Sequence, residues 1–201
     1  MTEPSEAIAY DHNIDPLNPD SFEPNMPDVF RALPLINRFN GQTNRPYSVA
    51  AHSLMCEQVA HDVYNVTKSH LRLAILLHDA SEAYLGDIVR PIKHRFEGFG
   101  QLEDRVMYKL YCNLGFTSKQ RIRIFHDKDF NAILHEIDTR MAVTEADMLT
   151  ECVILPHIER YDYRYVLRDR NYFAVRTMFV DKYIELHNAM KAAQCDEKGA
   201  K

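Results

Sequence analysis

An apolar run that ends in a knot of ionisable groups constrains this chain more than any other feature. Leu71 to Leu77 is hydrophobic apart from Arg72, and His78-Asp79-Ala80-Ser81-Glu82-Ala83-Tyr84-Leu85-Gly86-Asp87 follows directly. Such a run reads as a buried helix, and polar side chains at its end are costly to bury unless something satisfies them. On a helix His78 and Glu82, four apart, share a face, as do Asp79 and Glu82, three apart. Gly86 permits a sharp exit from the helix, after which Asp87 can fold back toward the same place. One imidazole and three carboxylates suit Zn, Mn, Fe, Co or Ni better than a soft thiolate site would. A His-Asp pair alone is weak evidence, since such pairs occur by chance at helix ends. The apolar lead-in and the additional acids tip the reading toward a metal.

The rest of the chain reads as helices. Residues 1–27 hold Pro4, Pro16, Pro19, Pro24 and Pro27 among Asn and Asp, an extended arm pinned by Leu17 and Phe22. A helix is expected over Asp28–Phe39, capped by Asp28 and interrupted by Pro34. Asn40 to Pro46 is a loop. A second helix runs from Ser48 to about Tyr64 with Val49, His52, Cys56, Val59 and Ala60 inward. A third, Ser69 to Tyr84, carries the His-Asp pair, and Arg90-Pro91-Ile92-Lys93 is a turn near it. Further helices are expected over 100–114 (stopped by Gly115), 118–125 and 172–193. A long one over 129–155 is ended by Pro156, with Ile133, Ile137, Met141, Thr144 and Met148 as its stripe. Tyr161 to Arg170 is a loop. With no hairpin signal, the fold class is all-α: an arm (1–27), one helical-bundle domain (28–194) and a disordered tail (195–201).

Composition narrows the function. The 201 residues are 46% hydrophobic and 26% charged, enough for one domain with a substantial core. The net charge is −5 without a Lys/Arg run, so neither a nucleic acid polymer nor a membrane surface has an electrostatic footprint. A small anionic substrate stays open. No bilayer-crossing stretch or signal peptide is evident. Four scattered cysteines read as free thiols in a reducing compartment, hence a cytoplasmic setting. No G-x-G-x-x-G or Walker sequence occurs.

A metal site needs ligands from separate segments, and His52, His78-Asp79 and Asp138 come from three expected helices. This H…HD…D order resembles the HD-domain metal-dependent phosphohydrolases over about residues 28–150. Tyr47-Ser48-Val49-Ala50-Ala51-His52-Ser53-Leu54 is similar to the segment around the family's first histidine. Leu76 to Asp87 is similar to its core motif, and Arg90-Pro91-Ile92-Lys93 to the segment just after that motif. Two groups look nearest. One is the HD 5′-deoxynucleotidases. The other is the phage HD dATP triphosphohydrolases, whose arm resembles this one around Pro16-Leu17-Asn18-Pro19.

The resemblance implies roles. His52, His78, Asp79 and Asp138 match ligands of a divalent metal (Zn, Co, Mn or Mg), with one ion or more per site. Glu82 matches the acid that activates or positions water, or holds a second ion, and Asp87 a second acid near the leaving oxygen or a further metal. Arg38 matches an arginine facing the nucleotide. Phe39 stands where the deoxynucleotidases carry Trp, which leaves substrate identity open. Lys93, and less directly Arg45, could meet phosphate charge. Asp147 rivals Asp138, which is preferred because Ile137-Asp138-Thr139-Arg140 and Thr144-Glu145-Ala146 resemble the family's segment.

The implied activity is metal-dependent hydrolysis of a deoxynucleotide, with dATP to deoxyadenosine and triphosphate as the main expectation. Phosphate release from deoxynucleoside monophosphates is the alternative. A homo-oligomer is implied, in the host cytoplasm for a phage-encoded protein. The competing readings are a nucleotide-sensing module without catalysis and a structural bundle with His52 and His78 as core residues. Glu82 and Asp87 would then be caps or surface ion-pair partners.

Overall fold

The computed structural model describes residues 7–9, 12–93, 95–167 and 170–199. The parts of the expected arm at 1–6, 10 and 11, and of the tail at 200–201, lie outside these. Nine helices are described: α1 Met26–Ala32, α2 Val49–Asp62, α3 Ser69–Leu76, α4 Glu82–Leu85, α5 Arg90–Lys93, α6 Phe99–Asn113, α7 Ser118–His126, α8 Lys128–Leu149 and α9 Tyr172–Gly199. The fold is all-α, as expected, with one small addition. Strands β1 (Ala7–Ala9) and β2 (His12–Ile14) pair antiparallel, Ala9 opposite His12. Three-residue strands are too short for alternation to announce them, so the expectation of no hairpin is corrected. Among the described residues no helix is long and apolar enough to cross a membrane.

Helices α2, α3 and α9 all pack on one another, and α2 also packs on α8. The run at 71–77 supplies this centre: Leu73, Ile75, Leu76 and Leu77 are fully buried. Each such side chain contributes about 1.5–3 kcal/mol of burial. Helix α2 is buried nearly all round, as a helix threaded through a core must be. Ser48 caps it, its hydroxyl accepting from the Ala51 N–H at 3.3 Å.

Several boundaries differ from expectation for local reasons. Helix α1 begins earlier, capped by Asn25, whose side chain accepts from the Asp28 N–H at 3.0 Å. It ends at Ala32, short of Pro34, which cannot donate to the ladder. Phe22 packs on Tyr84 with ring centroids 5.1 Å apart, while Leu17 stays exposed, so Phe22 does the pinning. The expected turn at Arg90–Lys93 is a single helical turn. Helix α8 stops at Leu149 rather than 155. Thr150 is extended and its hydroxyl donates to the Ala146 carbonyl at 2.8 Å, closing the helix end. Tyr161 and Tyr165, expected in a loop, are buried. Helix α9 continues to Gly199, so most of the expected disordered tail is helical.

Candidate metal centre and active-site cavity

The decisive departure from a plain helix lies at the His-Asp pair. The expected helix over 69–84 breaks after Leu76, and residues 77–81 form tight turns. Ala80 N–H donates to the Leu77 carbonyl at 2.9 Å and Glu82 N–H to the Asp79 carbonyl at 3.0 Å. The Nδ1–H of His78 then donates to the carbonyl of Ile75 at 2.8 Å. Gly86 ends α4 at φ +76°, a left-handed conformation that glycine adopts without the usual penalty.

Four donor atoms converge from three segments. His52 Nε2 on α2 lies 3.2 Å from Asp138 Oδ1 on α8 and 3.8 Å from Asp79 Oδ2. His78 Nε2 lies 3.2 Å from Asp79 Oδ2 and 4.0 Å from Asp138 Oδ1. Asp147, the rival to Asp138, faces away and holds Arg160 through both oxygens at 2.6 and 3.2 Å. The chemistry of this set fits a cation. Both imidazoles donate from Nδ1, His52 to Glu145 Oε1 at 2.8 Å and His78 to Ile75, which turns each Nε2 lone pair inward. His78 Nε2 faces carboxylate oxygens, and Glu82 Oε2 is buried without a hydrogen-bond partner among the described residues, a condition that costs free energy.

The charges of the cluster are interlocked. Burial opposes ionisation of Asp79 and Asp138, but the adjoining imidazoles hold both carboxyls below the ordinary range. Burial and the Arg38 cation disfavour a charged His52; Cys56, Glu145 and Asp138 outweigh them and raise its pKa. Burial, Asp79 and Asp87 push the Glu82 carboxyl up to about 9. Asp87 is raised as well, chiefly by burial.

Two residues were missed by the sequence reading of the site. Glu145 is fully buried, and besides His52 it accepts from Arg38 Nε at 3.0 Å. Its signal was a charged residue two turns after Asp138, on the buried side of α8. Cys56 Sγ lies 3.4 Å from His52 Nε2, so with His78 a soft donor borders the carboxylate set. All four cysteines are free.

A cavity of about 520 Å³ opens beside the cluster, a size suited to a small ligand. Its lining includes Arg38, Phe39, Asp79, Glu82, Asp87, Lys93 and Asp138, so sequence-expected site residues 100 positions apart meet there, while His52 and His78 lie behind the lining. Burial disfavours charge on Arg38, yet Glu145 and Asp79 hold it firmly protonated. Phe39 stands at φ +55° with the Arg38 guanidinium 5.6 Å from its ring centroid. Lys93 pairs with Glu103 at 2.7 Å and lies 3.7 Å from Glu82. Arg90, also in the lining, reaches Asp138 Oδ2 at 2.8 Å. Arg45 is not in this lining; it borders a separate groove with Tyr47 and Tyr172.

Comparison with known proteins places this architecture. The family model for 5′-deoxynucleotidase YfbR-like proteins matches residues 27–153. The chain belongs to the YfbR-like family. Its members are metal-dependent deoxynucleotide phosphohydrolases of the HD-domain superfamily. The matched span runs from the second residue of α1 to beyond the end of α8 and contains every residue of the cluster. An uncharacterized protein of Rhodobacter capsulatus is 35% identical over 108 residues, 52% of this chain and 55% of that protein. The uncharacterized protein YfdR of Escherichia coli is 32% identical over 92 residues, 46% of this chain and 47% of its own length. The chain thus spans about half the length of the curated relatives it matches.

Proposed function

We propose that this YfbR-like chain is a 5′-deoxynucleotidase, hydrolysing deoxynucleoside monophosphates to deoxynucleoside and phosphate. The observation that carries the reading is the convergence of His52, His78, Asp79 and Asp138, of which Asp79 and Asp138 line a cavity sized for a small ligand and the two imidazoles sit directly behind them. The family match favours this substrate over dATP, the main expectation from sequence; nothing in the cavity or the comparisons favours a phage triphosphohydrolase.

His52, His78, Asp79 and Asp138 would hold a divalent cation, with Zn, Co, Mn and Mg as the ions to try. When bound, the cation supplies charge that polarises the phosphoryl group and makes water nucleophilic. The chain's own residues do the rest. Arg38 and Lys93 meet the phosphate oxygens, and Phe39 presses on the sugar or base. With the cation's charge beside it Glu82 would be ionised, and its Oε2 takes a proton from the attacking water as that water's oxygen bonds to phosphorus. The bond from phosphorus to the 5′ oxygen breaks, and Asp87, whose carboxyl is raised, gives that oxygen a proton. The apolar stretch of the lining, Ile88, Val89, Ile154 and Leu155 among it, excludes water.

Incubation with Co, Mn, Zn or Mg and the four deoxynucleoside monophosphates, or the triphosphates, with chromatography of products, tests this. Phosphate from monophosphates with triphosphates untouched is expected. Triphosphate from dATP alone would overturn the substrate assignment, and no product from any nucleotide would overturn the enzyme. The same reading takes the protein as cytoplasmic and homo-oligomeric; sedimentation velocity tests the assembly.

A further inference from the structure

We propose that Glu145 is a positioning residue that braces the metal centre and the substrate-facing cation as one unit. One carboxylate serves two machines. Oε1 accepts from His52 Nδ1 at 2.8 Å and Oε2 accepts from Arg38 Nε at 3.0 Å. Both oxygens are thereby used on the far side of those groups, so Glu145 does not itself face the ion. The proposal rests on the reading of His52 as a ligand and of Arg38 as a phosphate-binding residue.

The physical argument begins with burial. Glu145 has no exposed surface, and a buried carboxylate persists only where paired and hydrogen-bonded. Its partners come from distant places: His52 from α2 and Arg38 from the segment between α1 and α2. Glu145 itself rides on α8, two turns beyond Asp138. That helix therefore delivers one donor of the cluster directly and orients another.

For His52, an acceptor at Nδ1 fixes the tautomer with the lone pair on Nε2, where the cluster needs it. For Arg38, the bond at Nε fixes the plane of the guanidinium. Nη1 then sits 3.6 Å from Asp79 Oδ2 and the group lines the cavity. The Arg38 main chain is anchored independently, its N–H donating to the Tyr47 carbonyl at 2.9 Å. Side-chain direction is what Glu145 adds. Removing it should loosen metal and nucleotide together, whereas loss of an ordinary core residue would lower stability alone.

The test is Glu145→Gln in the full chain. Glutamine keeps the shape but offers one acceptor oxygen to two donors. Metal affinity is read by competition with a chromophoric chelator, and KM for a deoxynucleoside monophosphate at saturating metal. Metal binding about 10–100-fold weaker is expected, with KM raised severalfold and the helical circular dichroism of the parent kept. Glu145→Asp, which keeps the charge one methylene shorter, should lose less on both. Unchanged metal affinity and KM would overturn the proposal, as would a lower Tm with both constants intact. Failure of both variants to fold would assign Glu145 a purely structural role and overturn it too. A parent protein that binds no metal would instead sink the metal centre itself.

Discussion

The cavity has two walls built on different physical principles. The inner wall carries the ionisable cluster, and its side chains are held by the core. Helices α3 and α8 both pack on α2, and each imidazole is locked from behind. The outer wall is made by α5 and by the segment after α8. It is held at the surface by ion pairs, and its apolar side chains are partly exposed. Chemistry needs groups fixed to within a fraction of an ångström. Substrate choice needs only a shape, which loops supply and vary at little cost.

The largest effect should come from breaking the inner wall at its ligands. His78→Ala is expected to abolish metal binding and lower phosphate release by about a thousandfold or more, since the metal supplies several kcal/mol. Elemental analysis and product chromatography check this. A structural bundle would respond differently: the same variant would lose stability while metal content, already nil, stayed nil.

Glu82→Gln separates the acid from the metal. It should lower kcat by about 10²–10⁴ with metal still bound. It also has a signed consequence for stability. In the metal-free fold the Glu82 carboxyl is raised to about 9 against an ordinary 4.5. Between those values the folded state keeps a proton that the unfolded state has lost, so metal-free stability falls as pH rises through that window. The glutamine variant escapes the penalty. Its metal-free Tm should exceed that of the parent at pH 8 and match it near pH 4; equal Tm values at pH 8 would refute the assignment.

The two walls were also unequally legible in the sequence. The inner wall could be read because its constraint is local and chemical. His52 stood on an apolar face, and His78-Asp79 closed an apolar run. The break after Leu76 could not be read, because helix and tight turn share the same hydrophobic pattern until the hydrogen bonds choose i→i+3. Glu145 was legible only as part of the family-like run Thr144-Glu145-Ala146, and its role was not, since its two partners lie 93 and 107 residues away. The outer wall was misread for a related reason. Pro156 is a stronger stop signal than Thr150, at which α8 ends, and the Arg160–Asp147 pair that holds the following segment spans 13 residues and shows in no local pattern.

That pair offers a way to sharpen the contrast. Arg160 binds Asp147 through two bonds and also donates to the carbonyls of Leu155, Pro156 and Ile158, fixing the curl that brings Ile154 and Leu155 into the lining. Arg160→Ala should raise KM by about five- to thirtyfold, the size of one or two lost apolar contacts of about 1 kcal/mol each, while leaving metal affinity alone. Steady-state kinetics with a chelator titration decide it. Weakened metal binding would mean the walls are not independent.

The smallest effect should come from Cys56. Its sulfur lies 3.4 Å from His52 Nε2, close enough to compete for an ion. Burial pushes the thiol up to about 11, and the carboxylates of Asp79 and Asp138 already approach both imidazoles. A two-imidazole, two-carboxylate set should therefore leave the sulfur as a thiol packed beneath the ring. The Co(II)-loaded protein is expected to lack a sulfur-to-cobalt charge-transfer band in the near ultraviolet, and Cys56→Ala to bind one equivalent as the parent does. A band that vanishes in the variant would place the thiolate on the metal. The inner wall would then be softer than its carboxylates suggest, and would favour zinc over manganese or magnesium.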